Sequence, residues 1–223
     1  MVTYVLRHGR TAYSASYRVN GDPQIPVYLD RTGRVQCREA RDTLPPQTLA
    51  SCVSSPFPRA IQTARLLTAD RPPDIQVDPS LGEIDYGEFE GGPFTAYARW
   101  LTSHGPHARP AGAGESQHEA LTRMLRGLRR CLQLPGPRLV VTHGLLLSVL
   151  AARRLDGHVC FPEALYATPR LYSDHDLTQV LDRLLGELAA CPADSSLLPV
   201  REPGQLDTFG PTSAHPEEED AHA

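Results

Sequence analysis

The sequence predicts an α/β fold, a single-domain, three-layer α/β/α sandwich in which helices cover both faces of a mostly parallel sheet. Short apolar segments rich in β-branched residues alternate along the chain with longer segments of helical periodicity. Two of the short segments, at residues 2–9 and 137–144, end in His-Gly. The 223 residues are enough for one substantial domain with a core of its own.

The first predicted strand is Val2–Leu6, whose apolar and β-branched side chains suit a packed sheet. Gly9 ends the strand, because glycine turns the backbone freely and lets another group approach closely. Arg7 and His8 therefore lie at the carboxyl end of a strand. Open α/β sheets bind their ligands at that edge.

The remaining elements follow from periodicity and from helix-breaking residues. Residues 12–26 are polar and contain glycine, proline and asparagine, which indicates a loop. Pro45-Pro46 should end one helix, and Pro58 marks the first turn of another. Ser116 is predicted to cap a helix together with Glu119, three residues further on. Further strands are predicted at 49–54, 75–77 and 137–142, and helices at 29–44, from 58 onward, and at 94–101, 116–134, 145–155 and 177–188.

Arg7 and His8 together indicate phosphate chemistry. A guanidinium binds two phosphoryl oxygens at once and keeps its charge near neutral pH. An imidazole beside it can be neutral and nucleophilic, since its unperturbed pKa is about 6.5. The alternative, a solvated strand end with no function, has to be weighed against the rest of the chain.

Four segments, in this order, resemble motifs of the histidine phosphatase superfamily, the phosphoglycerate mutase-like proteins. The resemblance covers residues 2–155 and departs from the family pattern at Arg10, commonly glutamate, and at Ser14, where asparagine is expected. These departures leave the identity of the substrate open. The segments are Arg7-His8-Gly9-x-Thr11, Ser54-Ser55-Pro56-x-x-Arg59-Ala60-x-Gln62-Thr63-Ala64, Leu81-x-Glu83-x-x-x-Gly87-x-x-Glu90-Gly91 and Val141-x-His143-Gly144.

The resemblance implies a role for each of five residues. His8 would be the nucleophile that takes the phosphoryl group as a phosphohistidine. Arg7, Arg59 and His143 would neutralise and orient the phosphoryl oxygens. Glu83 would protonate the leaving alcohol and then deprotonate the attacking water, in a form kept protonated by desolvation.

Other residues of the motifs are assigned less directly. The resemblance implies that Thr11, Asn20, Gly21 and Gly144 contact the substrate along with the two arginines and His143. A simple turn at Asn20-Gly21 is the alternative.

Three carboxylates compete with Glu83 for the role of acid. They are Asp85, Glu88 and Glu90. Glu88 is expected to be solvated, and Glu90 is expected to cap or pair locally.

The expected activity is hydrolysis of a small phosphorylated metabolite, without metal or cofactor, because side-chain charge replaces Mg²⁺. A mutase is less expected, since family mutases carry a longer insertion than residues 91–114 of this chain. Two further alternatives remain: a phosphate-binding regulatory relative without activity, and a histidine-based metalloprotein. His104, His107 and His118 show no zinc spacing and are expected at the surface.

The composition of the chain limits the classes of partner and of chemistry that it can have. The net charge of −4 argues against nucleic acid, and the apolar run 139–152 is too short to cross a membrane. All 22 basic residues are arginine, so no lysine can form a Schiff base. The five cysteines are odd in number and lack a Cys-x-x-Cys pair, which favours buried small hydrophobes over disulfides or zinc.

The domain organisation predicted from the sequence has two parts. Residues 1–190 should form the phosphatase-like domain, and residues 192–223, rich in proline, serine and acids, a disordered tail. We expect a cytoplasmic protein, because no leader is recognised before the first strand. The oligomeric state is open, with a homodimer as one alternative.

Overall fold

The computed structural model describes residues 1–44, 49–69, 73–155 and 158–190. The predicted tail at 192–223 lies outside these ranges, as do Pro45 and Pro46. The strands in the described ranges are β1 (Val2–Arg7), β2 (Ser51–Ser54), β3 (Ile75–Val77), β4 (Arg138–Thr142), β5 (Arg153–Leu155), β6 (His158–Cys160) and β7 (Arg170–Ser173). The α-helices are α1 (Ala12–Ala15), α2 (Arg31–Thr43), α3 (Pro58–Thr68), α4 (Phe94–His104), α5 (Gln117–Cys131), α6 (Gly144–Leu150) and α7 (Asp174–Ala189).

The main sheet has five strands in the order β3-β2-β4-β1-β7. The first four run parallel to one another, and β7 pairs antiparallel with β1 at the edge. Strands β5 and β6 form a separate antiparallel pair. The prediction of a mostly parallel sheet is confirmed.

Helices cover both faces of this sheet because its central strands are apolar on both sides. On β1, Val5 packs with the leucines of α5, α6 and α7, whereas Leu6 packs with α2 and α3 on the opposite face. Every residue of β4 is buried, as expected for a parallel strand between two helical layers. The three-layer α/β/α arrangement is thereby confirmed.

Residues 12–26 were predicted to be a loop, and this was wrong for their first turn. Ser14 donates its backbone N–H to Thr11 Oγ1 over 3.1 Å, and its hydroxyl accepts the Thr11 N–H over 3.0 Å. This reciprocal cap supports the single turn α1. Four residues are too few for helical periodicity to show in the sequence.

The helix predicted at 145–155 was wrong in its second half. Helix α6 ends at Leu150, and the chain continues into β5, where Arg153 pairs with Cys160 of β6. Pairing with a later segment therefore overrides the local preference for helix. Strand β7 was not predicted, because it is a partly exposed edge strand and lacks a continuous apolar run.

The other helices match their predictions to within three residues at each end. The capping box of Ser116 and Glu119 is confirmed at the start of α5. Within the described residues, no helix is both long enough and apolar enough to span a bilayer.

Of the cysteines, Cys37, Cys52 and Cys131 are buried as predicted. Cys160 is exposed, so the prediction was wrong for that residue, and Cys191 lies outside the described residues.

Candidate active site

The predicted catalytic residues meet at the carboxyl edge of three adjacent parallel strands. His8 follows β1, and its backbone N–H donates to Thr142 O of β4 over 3.0 Å. Ser55 follows β2 and donates its N–H to Val141 O, also over 3.0 Å. His143 follows β4 directly. The ladder hydrogen bonds thus continue past the strand ends and hold the three loops side by side.

His8 is buried, with 3% of its surface exposed, and its ring orientation is set by the backbone. Nδ1 lies 2.7 Å from Gly9 O, a carbonyl that can only accept, so Nδ1 carries the proton of the neutral ring. Nε2 is then left with its lone pair. Burial, assisted by the positive charges of Arg59 and Arg7, lowers the pKa of His8 well below 6.5. The imidazole is therefore neutral and nucleophilic near pH 7.

Arg59 is placed against His8 by the start of α3, where Pro58 occupies the first turn. Its Nε donates to His8 Nε2 over 3.0 Å. The two terminal nitrogens donate to Asn20, Nη1 to the side-chain oxygen and Nη2 to the backbone oxygen over 3.0 Å. Burial lowers the pKa of Arg59 to about 10, and the charge of Glu83 opposes that shift. Arg59 therefore stays charged at neutral pH.

Arg7 supplies the second guanidinium. Its Nη1 donates to Ala164 O over 2.9 Å, and its Cζ lies 3.9 Å from the centre of the Tyr166 ring, in cation–π contact. Gly144 allows this close packing, since a Cβ there would lie 3.2 Å from Arg7 Cζ. Arg7 Nε is buried and has no hydrogen-bond partner among the described residues. A donor of this kind suits an anionic oxygen.

His143 lies between the other groups. Its Nε2 is 2.6 Å from Ser55 Oγ, and its Nδ1 is 3.3 Å from Arg59 Nη2 and 3.8 Å from Glu83 Oε2. Its ring meets the ring of His8 edge to face, with centroids 5.3 Å apart. Burial, followed by the charge of Arg59, lowers the pKa of His143 well below 6.5. The Ser55 hydroxyl can donate or accept, so it matches either neutral tautomer.

Glu83 brings a carboxyl group to the opposite side of His143. Its side chain is 12% exposed, and Oε1 accepts the N–H of Ile84 over 3.1 Å. Burial raises the pKa of Glu83 above 4.5, and the nearby Arg59 charge limits the rise. A carboxyl group of this kind can hold a proton at a pH where an exposed glutamate would not.

The rival carboxylates are occupied elsewhere. Asp85 accepts the N–H groups of Gly87 over 2.9 Å and Gly114 over 2.7 Å. Glu88 is exposed, as predicted. Glu90 accepts from Asn20 Nδ2 over 2.9 Å. Glu83 is thus the carboxylate of this loop that lies against His143.

Besides Gly144, three further predicted ligands lie around the cluster in different ways. Thr11 caps α1 with its side chain, and Asn20 holds Arg59. Gly21 donates its N–H to a Glu90 oxygen over 2.6 Å and lies so close to the Glu83 loop that a Cβ would be 2.1 Å from Ile84 O. Their contact with substrate stays a prediction. Their hydrogen bonds and packing show that they help to hold the site together.

Two residues of the site were missed by sequence reasoning. Ser55 belongs to a recognised motif, but no feature of the sequence indicates its contact with His143. Tyr166 packs on Arg7, lies 6.5 Å from the His8 ring and donates its hydroxyl to Ser14 O over 3.3 Å. It comes after residue 155, beyond the motifs recognised in the sequence, so none of those motifs points to it.

The three histidines predicted at the surface lie away from His8. His104 and His107 are exposed, and His118 is half-buried, with Nε2 2.9 Å from Leu188 O. His107 and His118 stack with ring centroids 4.2 Å apart. Among the described residues, no group of three or more His, Cys, Asp or Glu side chains is arranged to hold a metal ion.

Comparison with known proteins identifies the class that this fold and site define. The family model of the histidine phosphatase superfamily (branch 1) matches residues 3–169, and the chain belongs to this family. The protein named "Probable phosphoglycerate mutase GpmB" from Enterobacter sp. (strain 638) is 31% identical over 157 residues, which cover 67% of this chain and 72% of that protein.

Solved structures agree with this assignment. A mycobacterial glucosyl-3-phosphoglycerate phosphatase superposes with a TM-score of 0.54 at 25% identity, covering 66% of this chain and 76% of its own. The alpha-ribazole phosphatase from Shigella flexneri superposes with a TM-score of 0.58 over 75% of this chain and 98% of its own. At 19% identity, the latter likeness concerns the fold alone.

Proposed function

We propose that this protein is a phosphomonoesterase that hydrolyses a small phosphorylated metabolite through a phosphohistidine on His8. The observation that carries the proposal is the state of His8 itself. Its Nδ1 is bound to Gly9 O, its Nε2 keeps the lone pair, and burial, assisted by the charges of Arg59 and Arg7, lowers its pKa. A neutral nucleophile beside fixed positive charge matches the needs of phosphoryl transfer.

The first step forms the phosphoenzyme. His8 Nε2 attacks phosphorus while the bond from phosphorus to the alcohol oxygen breaks, and the departing oxygen takes the proton of Glu83. The hydrogen bond from Arg59 to His8 Nε2 breaks. Arg59 and Arg7 then donate to the equatorial oxygens, on which charge is concentrated. When the Ser55 hydroxyl donates to His143 Nε2, the proton of the neutral ring is on Nδ1, and His143 can donate it to the same oxygens.

The second step regenerates the enzyme. The Glu83 carboxylate removes a proton from water, and the resulting hydroxide attacks phosphorus as the bond to His8 Nε2 breaks. Phosphate leaves, and Glu83 is again protonated. Each of these groups is a side chain of the chain itself, so we propose that the reaction requires neither metal nor cofactor.

The test is phosphate release from p-nitrophenyl phosphate and from a panel of phosphorylated metabolites, with EDTA present. We expect the wild-type protein to be active and to trap acid-labile phosphate, and His8→Ala to do neither. Retention of activity by His8→Ala would contradict the mechanism. Loss of wild-type activity on addition of EDTA would contradict metal independence.

Phosphoryl transfer of the phosphoglycerate mutase type is the second candidate, and the name carried by the GpmB relative favours it. The short segment 91–114, in which α4 is the helix described, argues for hydrolysis, because little chain is present to shield a phosphoenzyme from water. Incubation of 3-phosphoglycerate with the phosphorylated protein separates the two candidates. Hydrolysis yields free phosphate, whereas a mutase returns the phosphoryl group to the acceptor.

A further inference from the structure

Arg123 of α5 makes five hydrogen bonds, all of them near the loop that carries Glu83. Its Nε and Nη2 donate to the two carboxylate oxygens of Glu115, over 2.9 and 2.5 Å. Its Nη1 donates to Ser80 O over 2.9 Å and to Gly82 O over 3.0 Å, and Nη2 donates to Glu83 O over 3.3 Å. The guanidinium thus joins three carbonyls of one loop to a single carboxylate.

Glu115 continues this contact on the other side of Glu83. Its Oε1 accepts the backbone N–H of Asp85 over 3.4 Å. Arg123 therefore holds the chain at and before Glu83, and Glu115 holds it two residues after. Residues 83–86 have no regular secondary structure, so no helix or strand ladder holds this part of the backbone.

The geometry points to Arg123 and Glu115 as a positioning pair, which fixes Glu83 so that its carboxyl group faces the leaving oxygen. This inference rests on the proposed function, in which Glu83 is the acid and base. Neither member of the pair touches the reacting atoms. General acid catalysis requires the donor to be within hydrogen-bond reach of the oxygen it protonates, so small displacements of this loop should affect the proton transfer.

The partial burial of the Arg123–Glu115 ion pair agrees with this role. The side chains of Arg123 and Glu115 are 28% and 20% exposed, so the pair is partly shielded from water. Of the other arginines of α5, Arg130 also reaches this loop and donates to Ser80 Oγ over 2.7 Å. Arg129, by contrast, pairs with Asp182 of α7 over 2.7 Å, with both side chains about half exposed. Arg129 is therefore a matched control on the same helix.

The first experiment compares leaving groups. Wild type, Arg123→Met, Arg123→Lys and Arg129→Met are assayed on p-nitrophenyl phosphate, whose leaving group needs little protonation, and on an alkyl phosphate, whose leaving group needs a full proton. We expect Arg123→Met to lose about 10- to 100-fold more kcat on the alkyl ester than on the aryl ester. Arg123→Lys should lie between, and Arg129→Met should match wild type.

A loss of equal size on both esters would mean that Arg123 stabilises the fold without positioning the acid, and would overturn the inference. If Arg123→Met fails to fold, Glu115→Gln takes its place, because glutamine keeps the shape of the side chain and removes the charge. The same excess loss on the alkyl ester is then expected, and its absence would contradict the proposal.

The second experiment follows the Glu83 carboxyl group directly, by ¹³C NMR titration, with the signal assigned by its absence in Glu83→Gln. The positive charge of Arg123 lowers the pKa of Glu83, so Arg123→Met should raise it, whereas Arg129→Met should leave it unchanged. An unchanged titration in Arg123→Met would overturn the inference even if turnover fell. An inactive wild type would contradict the proposed function, and the titration would still report whether Arg123 acts on the Glu83 carboxyl group.

Discussion

At the residue scale, the site depends on groups whose ordinary charge states are shifted by burial. His8 and His143 are kept neutral, while Glu83 is favoured in its protonated form. The two guanidinium groups keep their charge, because even the lowered pKa of Arg59, about 10, is far above neutrality. The cluster therefore combines neutral imidazoles, a carboxyl group of raised pKa and positive charge, which are the groups that the proposed mechanism uses.

These shifts predict the pH profile of kcat/KM. His8 must be deprotonated, so the acid limb should lie below pH 6.5, and Glu83 must be protonated, so the alkaline limb should follow its raised pKa. Glu83→Gln should remove the alkaline limb and lower kcat/KM on an alkyl phosphate by roughly 10²- to 10⁴-fold. Measuring both proteins with one substrate makes substrate ionisation common to both. An alkaline limb that persists unchanged in Glu83→Gln would assign the acid to another group.

At the scale of elements, the site is made by three strand ends and the helices that follow them. Strands β1, β2 and β4 bring His8, Ser55 and His143 to one edge, and α3 presents Arg59 at its first turn. Helix α6 begins at Gly144, directly after His143, and this glycine leaves room for Arg7. The beginning of α6 is thus packed against a guanidinium that needs a defined position.

Gly144→Ala tests this packing. The added Cβ would lie 3.2 Å from Arg7 Cζ and Nε, so the guanidinium must move by a few tenths of an ångström. We expect about a tenfold higher KM and weaker inhibition by inorganic phosphate, since a displaced bidentate contact loses on the order of 1–2 kcal/mol. Steady-state kinetics with phosphate as competitor measures both.

Gly186→Ala is the matched control for this substitution. Gly186 lies in α7, and a Cβ there meets no atom within 4 Å. The control should keep wild-type kinetics and stabilise the helix by up to about 1 kcal/mol. An unchanged KM in Gly144→Ala would show that Arg7 tolerates the added methyl group.

At the scale of the whole molecule, the sheet buries the catalytic edge between two helical layers and the loops around it. Burial sets the charge states of the site. The same burial lowers the stability of the folded protein at low pH. His8 and His143 are almost completely buried, with 3% and 0% of their surfaces accessible. Protonation of either ring therefore favours the unfolded chain.

The sign of this effect follows from the pKa shifts. The folded pKa values of His8 and His143 lie below the unfolded value of 6.5, so the unfolded chain binds more protons as the pH falls through that window. Above about pH 6.5 the two neutral rings should take nothing from the free energy of unfolding. Below that pH the free energy of unfolding should decrease, by at most about 1.4 kcal/mol per pH unit for each ring. Glu83, whose pKa is raised above 4.5, acts in the opposite direction and reduces the slope.

Urea unfolding between pH 5 and pH 7 measures this slope, with His143→Gln as the variant that lacks one titrating ring. We expect the free energy of unfolding of the wild-type protein to fall with decreasing pH, and the variant to show a flatter dependence. Equal slopes for the two proteins would mean that His143 contributes no proton linkage.

The sequence by itself determined the family and the fold class, and its short contiguous motifs pointed to the five residues that meet at the site. Arg7 and His8 adjoin in the chain, Arg59 follows a proline at a helix start, and His143-Gly144 repeats the pattern of strand and glycine. Helices such as α3 and α5 were predictable for the same reason, since capping residues and apolar spacing act over one or two turns. These signals are local, and tertiary contacts do not change them.

Only the tertiary structure decided which groups touch one another. Tyr166 on Arg7, Asn20 on Arg59 and Arg123 on the Glu83 loop join residues that are 39 to 159 positions apart. Strand β7 and the β5–β6 pair likewise depend on hydrogen bonds to distant backbone, which periodicity cannot show. The pKa shifts of His8 and Glu83 are likewise decided by the tertiary structure, because burial in this fold is their main cause.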